Sequence, residues 1–153
     1  MAIFRIFRDL LGFRPRRLQA AALCLRGQGA EREVLLVTSR GRRHKTKRWI
    51  LPKGWPISGL DLMGSAEQEA WEEAGVKGTI HPESIGRYLH AQRRAENFVQ
   101  QVEVRVYRID DATLADDYPE AGQRERRWWK LEEAAAAVDQ PELAALLRKV
   151  AAS

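Results

Sequence analysis

The stretch EQEAWEEAGV, residues 67 to 76, constrains this chain more than any other. Alanines flank its charges and a glycine ends it, so it reads as the closing turns of a helix. Glu69, Glu72 and Glu73 then fall on adjoining faces, because residues three and four apart are helix neighbours, and like charges at that spacing repel. A helix made only for packing gains nothing from such repulsion. A divalent cation reverses its sign, since hard cations such as magnesium are held by carboxylate oxygens and keep several waters. The stretch therefore asks for a metal, and the three carboxylates are expected to be exposed to receive it.

At 153 residues and 17.5 kDa the chain is the size of one domain with an ordinary core. Lysine and arginine outnumber aspartate and glutamate by 26 to 21, and the pI is about 9.7. Anionic partners are favoured, without a choice between nucleic acid, a membrane surface and a small polyphosphate. Cys24 is the only cysteine and lies in an apolar run, which leaves no internal disulfide and implies a buried thiol. With no apolar run of transmembrane length and no secretory signal pattern, the expectation is a soluble cytoplasmic protein. Residues 1–17 form a separate basic amphipathic segment: Ile3, Phe4, Ile6, Phe7, Leu10 and Leu11 recur at helical spacing between arginines, and Gly12 and Pro15 end it. Its apolar stripe suits docking onto the domain or a partner subunit better than a membrane. Residues 18–153 are then the main domain.

Within that domain, LQAAALCL (18–25) and EVLLVT (33–38) read as buried strands of a hairpin turned by Gly27 to Ala30. A dense cationic loop, residues 39–48, leads through WIL into PKGWP. Ser65 is the expected N-cap and Gly75 the expected C-cap of the acidic helix. VKGTI and SIGRYLHAQ resemble strands around a turn, NFVQQVEVRVYRI alternates like another strand, and DDATLADDYPEAG reads as an acidic loop. RRWWKL is a last short strand, followed by one helix or two broken near Pro141. Mixed strands with central and C-terminal helices predict an α/β/α layered domain with a mixed sheet.

Gly54, followed at fixed spacing by Glu69, Ala70, Glu72, Glu73, Gly75 and Val76, resembles the Nudix box. Leu60 and Gln68 stand where that box has its first glutamate and its arginine. Their joint replacement is expected to be compensation, because losing only one partner of a buried pair costs about 3–5 kcal/mol. The flanks EVLLVTSR, RWILPKG, EEAGVKGTI and RERRWWKLEEA are similar to the diphosphoinositol polyphosphate phosphohydrolase branch, although PKGWP replaces a more glycine-rich loop. The resemblance implies an α/β/α sandwich and magnesium- or manganese-dependent hydrolysis of a diphosphate joined to another group.

By that resemblance Glu69, Glu73 and the Gly54 carbonyl are metal ligands, and Glu72 is the general base. Arg40, Arg42, Arg43, Lys45, Lys47, Arg48 and Lys53, with Arg124 and Arg126, are the cations expected to meet a phosphate-rich substrate, arginine's planar fork suiting phosphate. His44, His81 and His90 lack metal-site spacing; His90 could contact phosphate, but a polar loop role is expected for it. Trp128 and Trp129 are adjacent in a strand and so point to opposite faces; Trp55 and Trp71 are expected to pack, with Trp55 at the substrate rim. The expected substrate is a diphosphoinositol or dinucleoside polyphosphate. The alternative is a weakened domain that binds polyphosphate or RNA without cleaving it, suggested by Leu60, Gln68 and the net charge of +5.

Overall fold

The computed structural model describes residues 17–40, 47–95 and 98–153. The N-terminal segment apart from Arg17, and Arg42, Arg43, His44 and Lys45 of the cationic loop, lie outside these residues. The elements run β1 (Arg17–Arg26), a short 3-10 turn (Gly29–Glu31), β2 (Glu33–Thr38), β3 (Trp49–Ile50), β4 (Lys53–Gly54), α1 (Leu62–Ala74), β5 (Val76–Ile80), β6 (Gly86–Ala95), β7 (Phe98–Leu114), β8 (Arg126–Lys130), α2 (Leu131–Ala137) and α3 (Pro141–Ala151).

β1 organises the mixed sheet. It runs parallel to β7 and antiparallel to β4 and, at its far end, to β2. Helices cover both of its faces, which is why it reads as a nearly unbroken apolar run rather than an alternating one. Side-chain alternation divides that run between two cores. Ala21, Leu23 and Leu25 join Val34, Leu36, Val102, Val104 and the helices α2 and α3. Ala20, Ala22 and Cys24 join Leu35, Val37, Tyr107, Ile109 and the buried alanines of α1. The result is the expected α/β/α layering. Burial pushes the Cys24 thiol up to about 12, so it packs as a small apolar residue. Trp128 and Trp129 pack against opposite cores, as strand alternation requires. Among the described residues no helix is long and apolar enough to cross a membrane.

Three local expectations are corrected. α1 begins at Leu62, not after Ser65: the Asp61 side chain caps it, accepting from the Gly64 amide at 2.7 Å. Ser65 lies inside the helix, where its buried hydroxyl accepts from the Ile57 amide at 3.0 Å and pins the preceding loop. β5 and β6 do not pair with each other; both lie antiparallel along β7. Finally, β7 extends to Leu114 and absorbs the first part of the stretch expected as an acidic loop. Asp110 is tolerated there because Arg108 and His81 each meet its carboxylate at 2.6 Å, and Ala112 is buried beneath β5. Gly75 ends α1 as expected, with φ 68° in the left-handed region that glycine adopts without a Cβ penalty. Pro141 opens α3 and separates it from α2.

Candidate active site

The packing of α1 decides where its carboxylates go. Ala66, Ala70 and Ala74 recur at helical spacing and are fully buried, so the helix lies close over Ala20 and Ala22 of β1. Its last turns then bring Glu69 and Glu73 to β4. Gly54 abuts Glu69 so tightly that a Cβ added there would fall 2.3 Å from Glu69 Oε1. No side chain fits at that position without displacing the carboxylate. Glu73 is 6% exposed, which corrects the expectation of a fully exposed cluster. It accepts from the Lys53 amide at 3.2 Å and faces Arg124 at 3.4 Å. Burial nevertheless raises its carboxyl above the ordinary range, against the pull of Arg124 and that amide.

Burial also raises Glu69, helped by the charges of Glu73, Glu72 and Glu120, and its carboxyl is pushed up to about 7. Such crowding is an excess of negative charge that a divalent cation would relieve. Among the described residues no three aspartate, glutamate, histidine or cysteine side chains already form a chelate. The oxygen donors that do meet are the Glu69 and Glu73 carboxylates beside the Gly54 backbone. Few protein oxygens, with water completing the shell, is the donor set that suits magnesium or manganese.

Glu72 occupies the same end of α1. Its Oε1 accepts from Gln68 Nε2 at 3.0 Å, and its carbonyl accepts from the Glu120 amide at 3.0 Å. The expected compensation between Leu60 and Gln68 is not what their placement provides. Leu60 is 45% exposed, so no buried-charge penalty attaches to its position, and Gln68 has Glu72 as its partner.

The predicted cations divide by location. Arg40 pairs with Glu120 and donates to Gln123 at 2.7 Å. Arg124 is largely enclosed, donating to the Thr38 carbonyl at 3.0 Å as well as facing Glu73. Lys53 sends its ammonium to Gln19 Oε1 at 2.8 Å, and burial lowers its affinity for a proton, as do Arg124 and Arg48. Arg48 is exposed, 3.8 Å from Asp139; Lys47 is exposed beside it. Arg126 is differently employed. It donates to the carbonyls of Ala74 and Ala115 at 2.8 and 2.7 Å and stacks over Tyr118, closing the C-terminal end of α1 where unpaired carbonyls favour a cation.

Sequence reading missed Glu120 and Gln19 as neighbours of this region, and His90, expected in a polar loop, lies instead within strand β6. The acidic stretch before β8 was the one available signal for Glu120. Gln19 had none, because strand register alone brings it to Lys53.

A NUDIX domain model matches residues 15–150. The diphosphoinositol polyphosphate phosphohydrolase 3-alpha of Mus musculus is 34% identical over 82% of this chain and 70% of its own length. The diphosphoinositol polyphosphate phosphohydrolase 2 of Homo sapiens is also 34% identical, over 82% of this chain and 63% of its own. Among solved structures, a NUDIX hydrolase from Nitrosomonas europaea superposes with TM-score 0.65 at 17% identity, covering 90% of each chain. A binary complex of the C. elegans Ap4A hydrolase gives TM-score 0.59 at 24% identity, covering 89% of this chain and 96% of that one. At those identities the two structures speak for the fold alone. With the family model spanning nearly the whole chain and curated relatives sharing a third of its residues, this protein belongs to the Nudix hydrolase family.

Proposed function

We propose that this protein hydrolyses a phosphoanhydride in a highly phosphorylated small molecule, with a diphosphoinositol polyphosphate as the leading substrate class, in a magnesium- or manganese-dependent reaction. The observation that carries the reading is the crowding of Glu69 by Glu73, Glu72 and Glu120 against Gly54, at the spacing of the family's motif. The substrate class is supported by the curated relatives, which are named for diphosphoinositol polyphosphates, and by the cations around the carboxylates.

Glu69, Glu73 and the Gly54 carbonyl would hold the cation, which supplies charge neutralisation on the phosphates and a more acidic bound water. Glu72 is the general base. Gln68 occupies Oε1, and Oε2 is the atom assigned to take the proton of the attacking water. Arg124, buried beside Glu73, holds that carboxylate in place and adds positive charge near the reacting phosphate. Arg40 holds Glu120 beside the same site. Arg48 and Lys53 extend the cationic path, as do Lys47 and, outside the described residues, Arg42, Arg43 and Lys45.

The test is product analysis after incubation with magnesium and a panel containing diphosphoinositol pentakisphosphate, a diadenosine polyphosphate and inositol hexakisphosphate. Inorganic phosphate should be released from the first, while the last, having no anhydride, should remain intact. Preferred cleavage of the diadenosine compound would move the substrate class to dinucleoside polyphosphates. No turnover of any anhydride with magnesium or manganese, together with salt-dependent RNA binding, would replace the hydrolytic reading with a binding one.

A further inference from the structure

We propose that Lys53 and His90, backed by Gln19 and Gln140, form a subsite for a phosphate group that the reaction leaves uncleaved; this rests on the reading that the substrate carries several phosphates. The inference starts from β4. Gly54 is in register with Ala20, which belongs to the core beneath α1, whereas Lys53 is in register with Ala21, which belongs to the opposite core. Paired residues share a face of a sheet and successive residues alternate. Two adjacent positions therefore serve two sides: Gly54 meets the Glu69 carboxylate, and the Lys53 side chain enters the other side.

On that side Lys53 meets an amide instead of a carboxylate. Its Nζ donates to Oε1 of Gln19, which is 5% exposed. Among the described residues no carboxylate forms an ion pair with it. An ammonium steadied by a neutral acceptor keeps its charge for a ligand, which one neutralised by aspartate does not. Its backbone amide meanwhile donates to Glu73 Oε2 at 3.2 Å, tying this side to the carboxylate cluster.

His90 completes the pair. It is in register with Val102, a member of the same core as Ala21, so it lies on the Lys53 side of the sheet. Gln140, which precedes α3, brings its Nε2 to 3.2 Å from His90 Nδ1. With the amide as donor, Nδ1 is the acceptor and the ring proton is on Nε2. The charged groups acting on the ring are Lys53 from β4 and Arg48 from the segment before β3, and with burial they hold it neutral down to about 4. Asp139, beside Gln140, is engaged by Arg48 at 3.8 Å. The side thus offers an ammonium, an imidazole N–H and a nearby guanidinium from three separate segments, with neutral amides behind the first two. That donor set fits a phosphate monoester. Gly54, not the Lys53 side chain, abuts Glu69, while Glu73 and Glu69 are near enough to act on the Lys53 charge, so the phosphate held here is assigned as a neighbour of the one cleaved.

Calorimetry in metal-free buffer with inositol hexakisphosphate and with inorganic tripolyphosphate tests the subsite. Inositol hexakisphosphate has no anhydride, so its binding is read whether or not the protein is a hydrolase. Lys53→Gln and His90→Leu are each expected to weaken binding about tenfold or more, the scale of one hydrogen bond to a charged group. His90→Gln, which keeps an N–H donor, should recover part of the loss, and melting temperatures close to wild type would separate the effect from unfolding. Parallel losses for both ligands assign the subsite to phosphate itself; a loss for one alone assigns it to ring-borne or to chain-borne phosphate. Wild-type affinity in both variants, or no binding of either ligand by the wild type, would overturn the proposal. So would a fall in kcat at unchanged KM in Lys53→Gln with a cleavable substrate, since that pattern belongs to the reacting phosphate.

Discussion

Without a cation, Glu69 keeps its proton up to about 7, against an ordinary value of 4.5, through burial and its three carboxylate neighbours. The unfolded chain gives that proton up near 4.5 and the folded chain only near 7. Over this window the folded state binds more protons, so metal-free stability falls as pH rises and levels off above it. Glu73 is shifted in the same direction. Denaturant melts in chelator across the window should show the fall, and Glu69→Gln should make it shallower. Magnesium binding should release protons there, visible as a buffer-dependent enthalpy. Gly54→Ala is the steric counterpart. Its Cβ would lie 2.3 Å from Glu69 Oε1, so the carboxylate must move; the fold should lose about 1–3 kcal/mol, and the magnesium needed for half-maximal rate should rise. That Glu69, Glu72, Glu73 and Gly54 come together was legible in the sequence, because one short loop and one helix carry them all. The burial of Glu73 was not, since it depends on Arg124 arriving from the segment before β8.

At the scale of elements, α1 is set by small residues. Ala70 is fully buried in the core that contains Ala20 and Ala22 of β1, so Ala70→Leu has no space to enter without lifting the helix. A loss of about 1–3 kcal/mol is expected, with activity falling further than stability because Glu69, Glu72 and Glu73 move with the helix. Asp61→Ala should cost about 1 kcal/mol through the lost cap, measured as a lower melting temperature. The position of that cap was misread because serine and aspartate are both good N-caps, and only the fold of the loop shows that Ile57 claims the Ser65 hydroxyl. Similarly, β5 and β6 read as strands around a turn and β7 as an alternating strand, but neither pattern held information on pairing. β7 is long enough to take both others along successive parts of its length.

Over the whole molecule, β1 and β4 stand between two chemistries: carboxylates on the α1 side, and Lys53, His90 and Arg48 on the side of α2 and α3. The layering was legible, because an apolar run such as AAALCL needs cover on both faces and the chain supplies helices for each. The second side was not, since its contacts join β1 to β4 and β6 to the approach to α3, pairings that only the completed topology creates. Central to the proposed function is the assignment of both a metal ligand and the base to α1. The most direct measurement is the rate of phosphate release from diphosphoinositol pentakisphosphate as magnesium is raised, for wild type, Glu73→Gln and Glu72→Gln. Glu73→Gln should lose most activity at low magnesium and regain part of it at high magnesium. Glu72→Gln should remain slower by about 10²–10⁴-fold at every concentration, because tighter coordination does not replace a proton acceptor. Wild-type rates in Glu73→Gln at low magnesium, or recovery of Glu72→Gln by added magnesium, would contradict the assignment.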